Sequence, residues 1–316
     1  MKVGVLTWDN TGLDLDGPAL AECGRARGHQ TGMFSLEDVR YVPRAAGGFE
    51  LSLAGEPAQS YDAIISRAKL YGDDWRDRVE RLTLLSNVPG VRMHAPADAW
   101  VRGYSKLQCT QRLAEGGIPV PPTRSATTLE DIELAHQEWG AIIVKPSFQF
   151  SGTDVERITD VAAQKDLALD LLNRYSTLAC MPYWPTEYGE YRLTVAGDTC
   201  VSMFKLPPLG AWRCKTLEGA TFERIDAPAE LEDLAFRATR LMGLTLAGVD
   251  ALPTEDGFVI LEVNPVPGLL DMLGEAARQE TFAGIYDWVE SRPPRSDPAV
   301  CLNHSAAATG LSAVNL

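Results

Sequence analysis

No run of basic residues occurs anywhere in the 316 positions. The 29 Lys+Arg stand against 43 Asp+Glu, a formal charge of −14. Neutralising nucleic-acid phosphates takes clustered cations, so no nucleic-acid partner is expected. No apolar run approaches the roughly 20 residues that cross a bilayer, so no membrane partner is expected either. Residues 1–9 carry one lysine and no long apolar region, unlike a secretory signal, and the expected location is cytoplasmic. Six cysteines (Cys23, Cys109, Cys180, Cys200, Cys214, Cys301) are scattered without a C-x-x-C pair. Zinc and thiol-redox motifs are therefore absent, and small buried hydrophobes in a reducing cytoplasm are expected. Histidine is scarce: only His29, His94, His136 and His304. His29 and His136 read as solvated surface residues. There is no G-x-x-x-x-G-K-[ST], G-x-G-x-x-G, H-E-x-x-H or G-x-S-x-G.

What remains is a soluble globular composition, 45% hydrophobic and 23% charged. At about 100–200 residues per domain, it is long enough for two or three domains. Residues 3–8 read as a buried strand. Pro18 suits a first helical position and Gly28 the position past a helix end. Residues 61–66 read as a further short strand and 74–85 as a helix, with 90–93 leading into His94-Ala-Pro. Ser105 with Gln108, and Thr127 with Glu130, read as capping boxes opening two helices. Residues 141–145 are a short apolar strand ending in Lys145, with a return strand at 154–158 and a helix at 161–173. Residues 178–181 form a strand stopped by Pro182. Residues 191–195 and 199–205 flank the turn Ala196-Gly197-Asp198. A helix follows at 230–242, then a second hairpin, 246–252 with 258–263. The expected parts are a small parallel α/β unit (1–98), a central unit with a phosphate loop (99–177), a carboxy-terminal unit (178–291) and a mobile tail (292–316).

The second hairpin carries the chemistry. Glu262 and Asn264 are two apart in a strand and share a face. A turn centred on Asp256 sets Asp250 opposite Glu262, with Cβ atoms about 4.5–5.5 Å apart. Two carboxylates and an amide oxygen suit Mg²⁺ or Mn²⁺ holding a substrate phosphate. Such close carboxylates repel, so a cation is expected between them. A solvated hairpin edge is the alternative. Lys145 ends an apolar strand. Lys106 sits in a helical first turn, where it opposes the macrodipole. Both are suitable point-charge partners for phosphate. Ser147, Ser151 and Gly152 read as a loop whose N–H groups approach phosphates.

The order Lys106, Lys145, Arg192, Arg213, Asp250, Glu262-x-Asn264-Pro-x-Pro-Gly268 resembles the ATP-grasp superfamily. It is most similar to the RimK/glutathione-synthetase-like branch of carboxylate–amine ligases. The S-K-L-Q…G-G-I-P-V-P-P-T stretch (105–123) resembles that family's central-domain entry. The likeness spans about residues 1–290. It implies an α/β (α+β) ATP-grasp fold with a small amino-terminal parallel domain, a central lid and a carboxy-terminal antiparallel sheet. It implies ATP and one or two Mg²⁺ (or Mn²⁺) ions between the last two. Lys106, Lys145, Ser151 and Gly152 would contact phosphates. Met181, Tyr183 and Trp184 would form the adenine hinge, and Glu187 would take the ribose. Asp250, Glu262 and Asn264 would hold the metal. Arg192, Arg213 and Lys215 would face the transferred phosphate and the acyl intermediate. Lys215 departs from the family, which often has arginine followed by serine-asparagine in this loop. Phe148, Gln149 and Phe150 stand where many members have glycines.

The implied reaction converts a carboxylate to an acyl phosphate with ATP. An amine then attacks, and ADP and phosphate are released. The poor histidine inventory fits, because no histidine base is needed. The acidic surface favours a small substrate, an amino acid or specialised-metabolite precursor, joined to an amine or cyclised on itself. Alternatives are modification of a peptide or protein tail, and a non-ligase kinase or nucleotide sensor. This branch often forms dimers or tetramers. Asp9, Asp14 and Asp16 would meet a substrate amine or, the favoured reading, sit as solvated loop charges.

Overall fold

The computed structural model describes all residues except 10–12, 45–46, 71, 73, 150–151, 187–188, 215–217 and 292–316. The sequence-predicted tail, Ser151, Glu187 and Lys215 lie outside the described residues.

The chain opens with β1 (Lys2–Leu6), α1 (Asp16–Ala26) and β2 (Gln30–Phe34). Val3, Val5 and Leu6 are fully buried, as expected of a strand covered on both faces. Pro18 is the third residue of α1, not the first, because the Asp14 carboxylate accepts the Gly17 N–H and the helix begins at Asp16. Its missing N–H still costs nothing in a first turn. The helix ends before Gly28 at φ +84, a left-handed position that suits glycine. An antiparallel side sheet follows, β3 (Val39–Pro43), β4 (Phe49–Leu53) and β5 (Glu56–Pro57), which the sequence reading lacked. Then come β6 (Ala63–Ser66), α2 (Trp75–Ser86) and β7 (Arg92–His94). The order β2-β1-β6-β7 is parallel throughout.

Helices α3 (Ala97–Tyr104) and α4 (Lys106–Glu115) meet at Ser105. The Ser105 hydroxyl accepts the Gln108 N–H at 3.3 Å, the forward half of the expected capping box. The central unit is β8 (Arg124–Ala126), α5 (Leu129–Trp139), β9 (Ile142–Pro146), β10 (Glu156–Ile158), α6 (Lys165–Arg174) and β11 (Leu178–Pro182). Its antiparallel order is β10-β9-β11-β8. Strand β11, read from the sequence as the start of the third part, pairs on both sides within this sheet. The cap of α5 is Thr128 with Asp131, one residue later than Thr127 with Glu130. The Asp131 carboxylate gathers the N–H groups of both Thr127 and Thr128, which fixes the later start. Ile132, Ile142, Val144, Ile158 and Leu171 form this unit's own core, each worth about 1.5–3 kcal/mol of burial.

The third unit is β12 (Glu190–Ala196), β13 (Thr199–Leu206), β14 (Thr221–Arg224), α7 (Ala229–Leu241), β15 (Leu246–Thr254), β16 (Gly257–Asn264) and α8 (Leu270–Glu290). Its sheet runs β14-β13-β12-β15-β16, antiparallel. One face packs on α8, β1 and α1, where Tyr286 donates its hydroxyl to the Leu20 carbonyl. The other face packs with α3, α4 and α7. His29, expected in solvent, stacks on Tyr286 at 5.5 Å and bonds Glu290. Its place beside the end of α8 explains the difference.

The β15–β16 turn differs in detail from the expectation. Thr254 pairs with Gly257, so the turn centres between Glu255 and Asp256, half a residue early. Continued unbroken, that register would set Asp250 opposite Leu261. An irregularity between Asp250 and Ala251 shifts the pairing, and Asp250 faces Glu262 after all. A β-bulge re-aims side chains in this way next to functional sites.

Candidate active site

The side chains of this sheet line up in a row. Arg192 on β12 pairs with Asp250 on β15, and Asp250 pairs with Glu262 on β16. Arg192 donates to one Asp250 oxygen at 2.6 Å and Lys205 to the other at 2.9 Å. Lys205 also forms an ion pair with Glu190, its cross-strand neighbour. Lys106 lies 3.2 Å from Glu262 and donates to the Gln149 carbonyl at 2.9 Å. The two carboxylates hold separate cations, Arg192 and Lys205 on Asp250 and Lys106 on Glu262, rather than one cation between them.

Lys145 projects from β9, buried, and burial pulls its ammonium below the ordinary lysine range. The charge of Glu262 offsets part of that cost. Lys106 holds the Glu262 carboxyl down at about 2 despite its desolvation. Burial pushes Glu190 upward, against the pull of Lys205. Burial also pulls Lys205 downward, but Asp250 and Glu190 outweigh it and keep this lysine above its ordinary range.

These groups border one cavity of about 600 Å³, within the size range of small-molecule sites. Of the sequence-predicted residues, Lys106, Lys145, Gly152, Met181, Tyr183, Trp184, Arg192, Arg213, Asp250, Glu262 and Asn264 line it. Helix α4 is tied to the loop beyond β9 by the Lys106 N–H donating to the Ser147 carbonyl at 2.7 Å. At the end of β11, the Tyr183 N–H is taken by the Ala141 carbonyl. The Tyr183 ring stands edge-on to Trp212, with Arg157 over both rings. Arg213 is paired with Glu218 and donates to the Val155 carbonyl, bridging to the lid. Among the described residues, seven cationic side chains and five carboxylates line the cavity, a local balance opposite in sign to the chain's −14.

The donor set fits a hard divalent cation. Mg²⁺ is usually held by one or two carboxylates plus substrate phosphates. Asp250 and Glu262 supply two carboxylates, and Asn264 an amide oxygen that already accepts the Val266 N–H at 3.0 Å. Among the described residues no group of three or more acids, histidines or cysteines converges. The described cysteines are all free thiols, and burial pushes Cys109 up to about 11.

The sequence reading missed Glu190 and Lys205, both on the cavity wall. Extending the first hairpin's register outward from Gly197-Asp198 pairs them. It also missed the amino-terminal wall. Asp14 and Asp16, favoured as solvated, are buried and locked to Arg67, itself 3% exposed. The α1 N-terminus and the α8 N-terminus consume their oxygens, which no local pattern reveals.

Residues 103–280 match the family model for the RimK-like ATP-grasp domain. A relative from Xanthomonas euvesicatoria pv. vesicatoria, named Probable alpha-L-glutamate ligase, is 30% identical over 282 residues. That match covers 88% of this chain and 94% of the relative. Two solved structures share the fold. D-cycloserine synthetase DcsG has TM-score 0.67 at 19% identity and covers 92% of this chain and 100% of its own. Macrocyclase MdnC, bound with precursor peptide MdnA from Microcystis aeruginosa MRC, has TM-score 0.66 at 17% identity, with 91% and 100% covered.

Proposed function

The chain belongs to the RimK-like ATP-grasp family, and from that premise we propose which of its residues carry an ATP-dependent carboxylate–amine ligation. The carrying observation is the Arg192–Asp250–Glu262 row, with Lys106 and Lys145 at the same cavity. The proposed end point is an amide bond, ADP and phosphate.

In this reading Lys106 and Lys145 neutralise the ATP phosphates. The hinge at 181–184 receives the adenine. Asp250, Glu262 and Asn264 would hold one or two Mg²⁺ ions, whose chemistry is to screen charge on the phosphoryl oxygens. The substrate carboxylate oxygen bonds to the γ-phosphorus as the bond to ADP breaks. The amine nitrogen then bonds to the acyl carbon, phosphate leaves, and the nitrogen loses a proton. In this reading Arg192 faces the transferred phosphoryl group. Arg213, tied to Glu218 and the lid, orients that loop. Preorganised cations at developing charge supply most of such a rate enhancement.

A small acid and a small amine are the proposed substrates, because a cavity of about 600 Å³ suits single small molecules. The names of the glutamate ligase relative and of D-cycloserine synthetase support that scale. The neighbour bound with a precursor peptide supports the second reading, a peptide acceptor. The test is phosphate release from Mg-ATP against pools of carboxylates, amines and peptides, with the nucleotide product identified. ADP formation that needs both a carboxylate and an amine is expected. Glu262→Gln should abolish most of it. Unchanged turnover in that variant would remove the metal assignment.

A further inference from the structure

Phe148 stands two residues beyond β9, in a loop where many members of the family have glycines. It is not among the residues that line the cavity. Half-buried, it packs against the main core, with its ring centroid 5.2 Å from that of Trp75 and 5.9 Å from that of Tyr104. Both separations fall in the range of favourable aromatic pairs. Trp75 opens α2 and Tyr104 closes α3. Tyr104 in turn packs on Trp100, which is fully buried. The ring is therefore held from two helices that lie outside the sheet carrying its backbone.

The backbone on either side of Phe148 holds Lys106. The Ser147 carbonyl accepts the Lys106 N–H at 2.7 Å, and the Gln149 carbonyl accepts its Nζ at 2.9 Å. Ser105, the residue before Lys106, bridges to Phe148 itself. On the β9 side, the Ser147 N–H is taken by the Thr177 carbonyl. On the Gln149 side, the adjacent anchor is the Phe148 ring. The Lys106 side chain is 11% exposed, with its ammonium 3.2 Å from Glu262. A lysine stem has many rotamers, and restricting them costs entropy. A carbonyl fixed beside the ammonium removes part of that cost before a nucleotide arrives.

We propose that Phe148 is a positioning residue: its ring, packed on Trp75 and Tyr104, fixes the Gln149 carbonyl and through it the Lys106 ammonium for the nucleotide phosphates. The inference rests on the ligase reading above and adds how one phosphate-binding lysine is held. It also makes nucleotide affinity depend on Trp75, a residue of α2 that does not line the cavity.

The test is a double-mutant cycle read by calorimetric titration of the full-length chain with MgADP. Phe148→Ala should weaken MgADP binding by roughly three- to tenfold, the range for one long side chain that must be ordered on binding. In a Lys106→Met background the same change should bring no further loss, because the side chain it positions is gone. Trp75→Ala should give a smaller loss with the same dependence on Lys106, and it carries the cycle if Phe148→Ala does not fold. Equal losses in both backgrounds overturn the positioning role, as does unchanged affinity in either aromatic variant or in Lys106→Met. Failure of the unaltered chain to bind MgADP is a separate outcome and strikes the ligase reading itself, taking this proposal with it.

Discussion

The two ends of the cavity are both built on buried ion pairs, yet the pairs do opposite work. At the third sheet, Arg192, Asp250, Glu262 and Lys205 stand on strands in register, with one face toward the cavity. Their partners are side chains that a ligand can replace. At the amino-terminal wall, Asp14 and Asp16 accept backbone N–H groups of α1 and α8, and Arg67 donates to both carboxylates. Displacing those partners would open helix ends. Two sets of residues of the same chemical type thus differ in their partners, side chains at the third sheet and backbone N–H groups at the amino-terminal wall, which makes the second an internal brace.

The comparison can be broken most sharply at Arg67. Arg67→Met strands two buried carboxylates, a loss of about 3–5 kcal/mol. Denaturant unfolding should show it, and a change under about 1 kcal/mol would mean the brace is not structural. Next is Lys145→Ala. Turnover should fall roughly 10²–10³-fold while the unfolding midpoint holds or rises, since a desolvated ammonium is removed. A large stability loss with little kinetic effect would turn the two walls' roles around.

A smaller effect concerns His94, buried against Trp288, whose pKa burial lowers to about 3, with Arg67 adding to the shift. The imidazole is neutral in the fold and protonates at about 6.5 when unfolded. The unfolded chain binds the extra proton below pH 6.5, so stability falls as pH drops through the window between 6.5 and about 3. Between pH 7 and pH 5 this amounts to about 2 kcal/mol. His94→Gln should flatten that slope in urea titrations at the two pH values; an unchanged slope would exonerate His94. The smallest effect is at the exposed pair Arg224–Glu280, where Arg224→Ala should cost under about 1 kcal/mol.

Strands and helices with strong periodicity were legible: β1, β9, β12, β13, β15, β16, α2 and α7 lie within a few residues of their sequence assignments. The β15–β16 hairpin was legible, and a period of two places Glu262 and Asn264 on one face whatever the turn does. The Asp250–Glu262 pairing came out as expected although the assumed turn was half a residue late, and only the bulge reconciles them. The side sheet β3–β5 was missed although β4 alternates apolar and polar residues, because its five residues are at the short end of what such alternation can distinguish. Asp14 and Asp16 were misjudged for a different reason. Their partners are Arg67, some 50 positions away, and Leu269 and Leu270, some 250 away, and burial set by such distant contacts leaves no local trace.

The charge of the cavity has a kinetic consequence. A polyanionic nucleotide approaches an envelope of net −14 before it meets an interior where cations outnumber carboxylates. At long range the encounter is repulsive, and salt with a Debye length near 8 Å at about 0.15 M screens that repulsion. The interior attraction acts at contact distances in a partly desolvated space and is screened much less. Nucleotide capture should therefore quicken as salt rises from low ionic strength, the reverse of ordinary electrostatic steering. The chain is in this sense tuned to the ionic medium in which it meets its nucleotide.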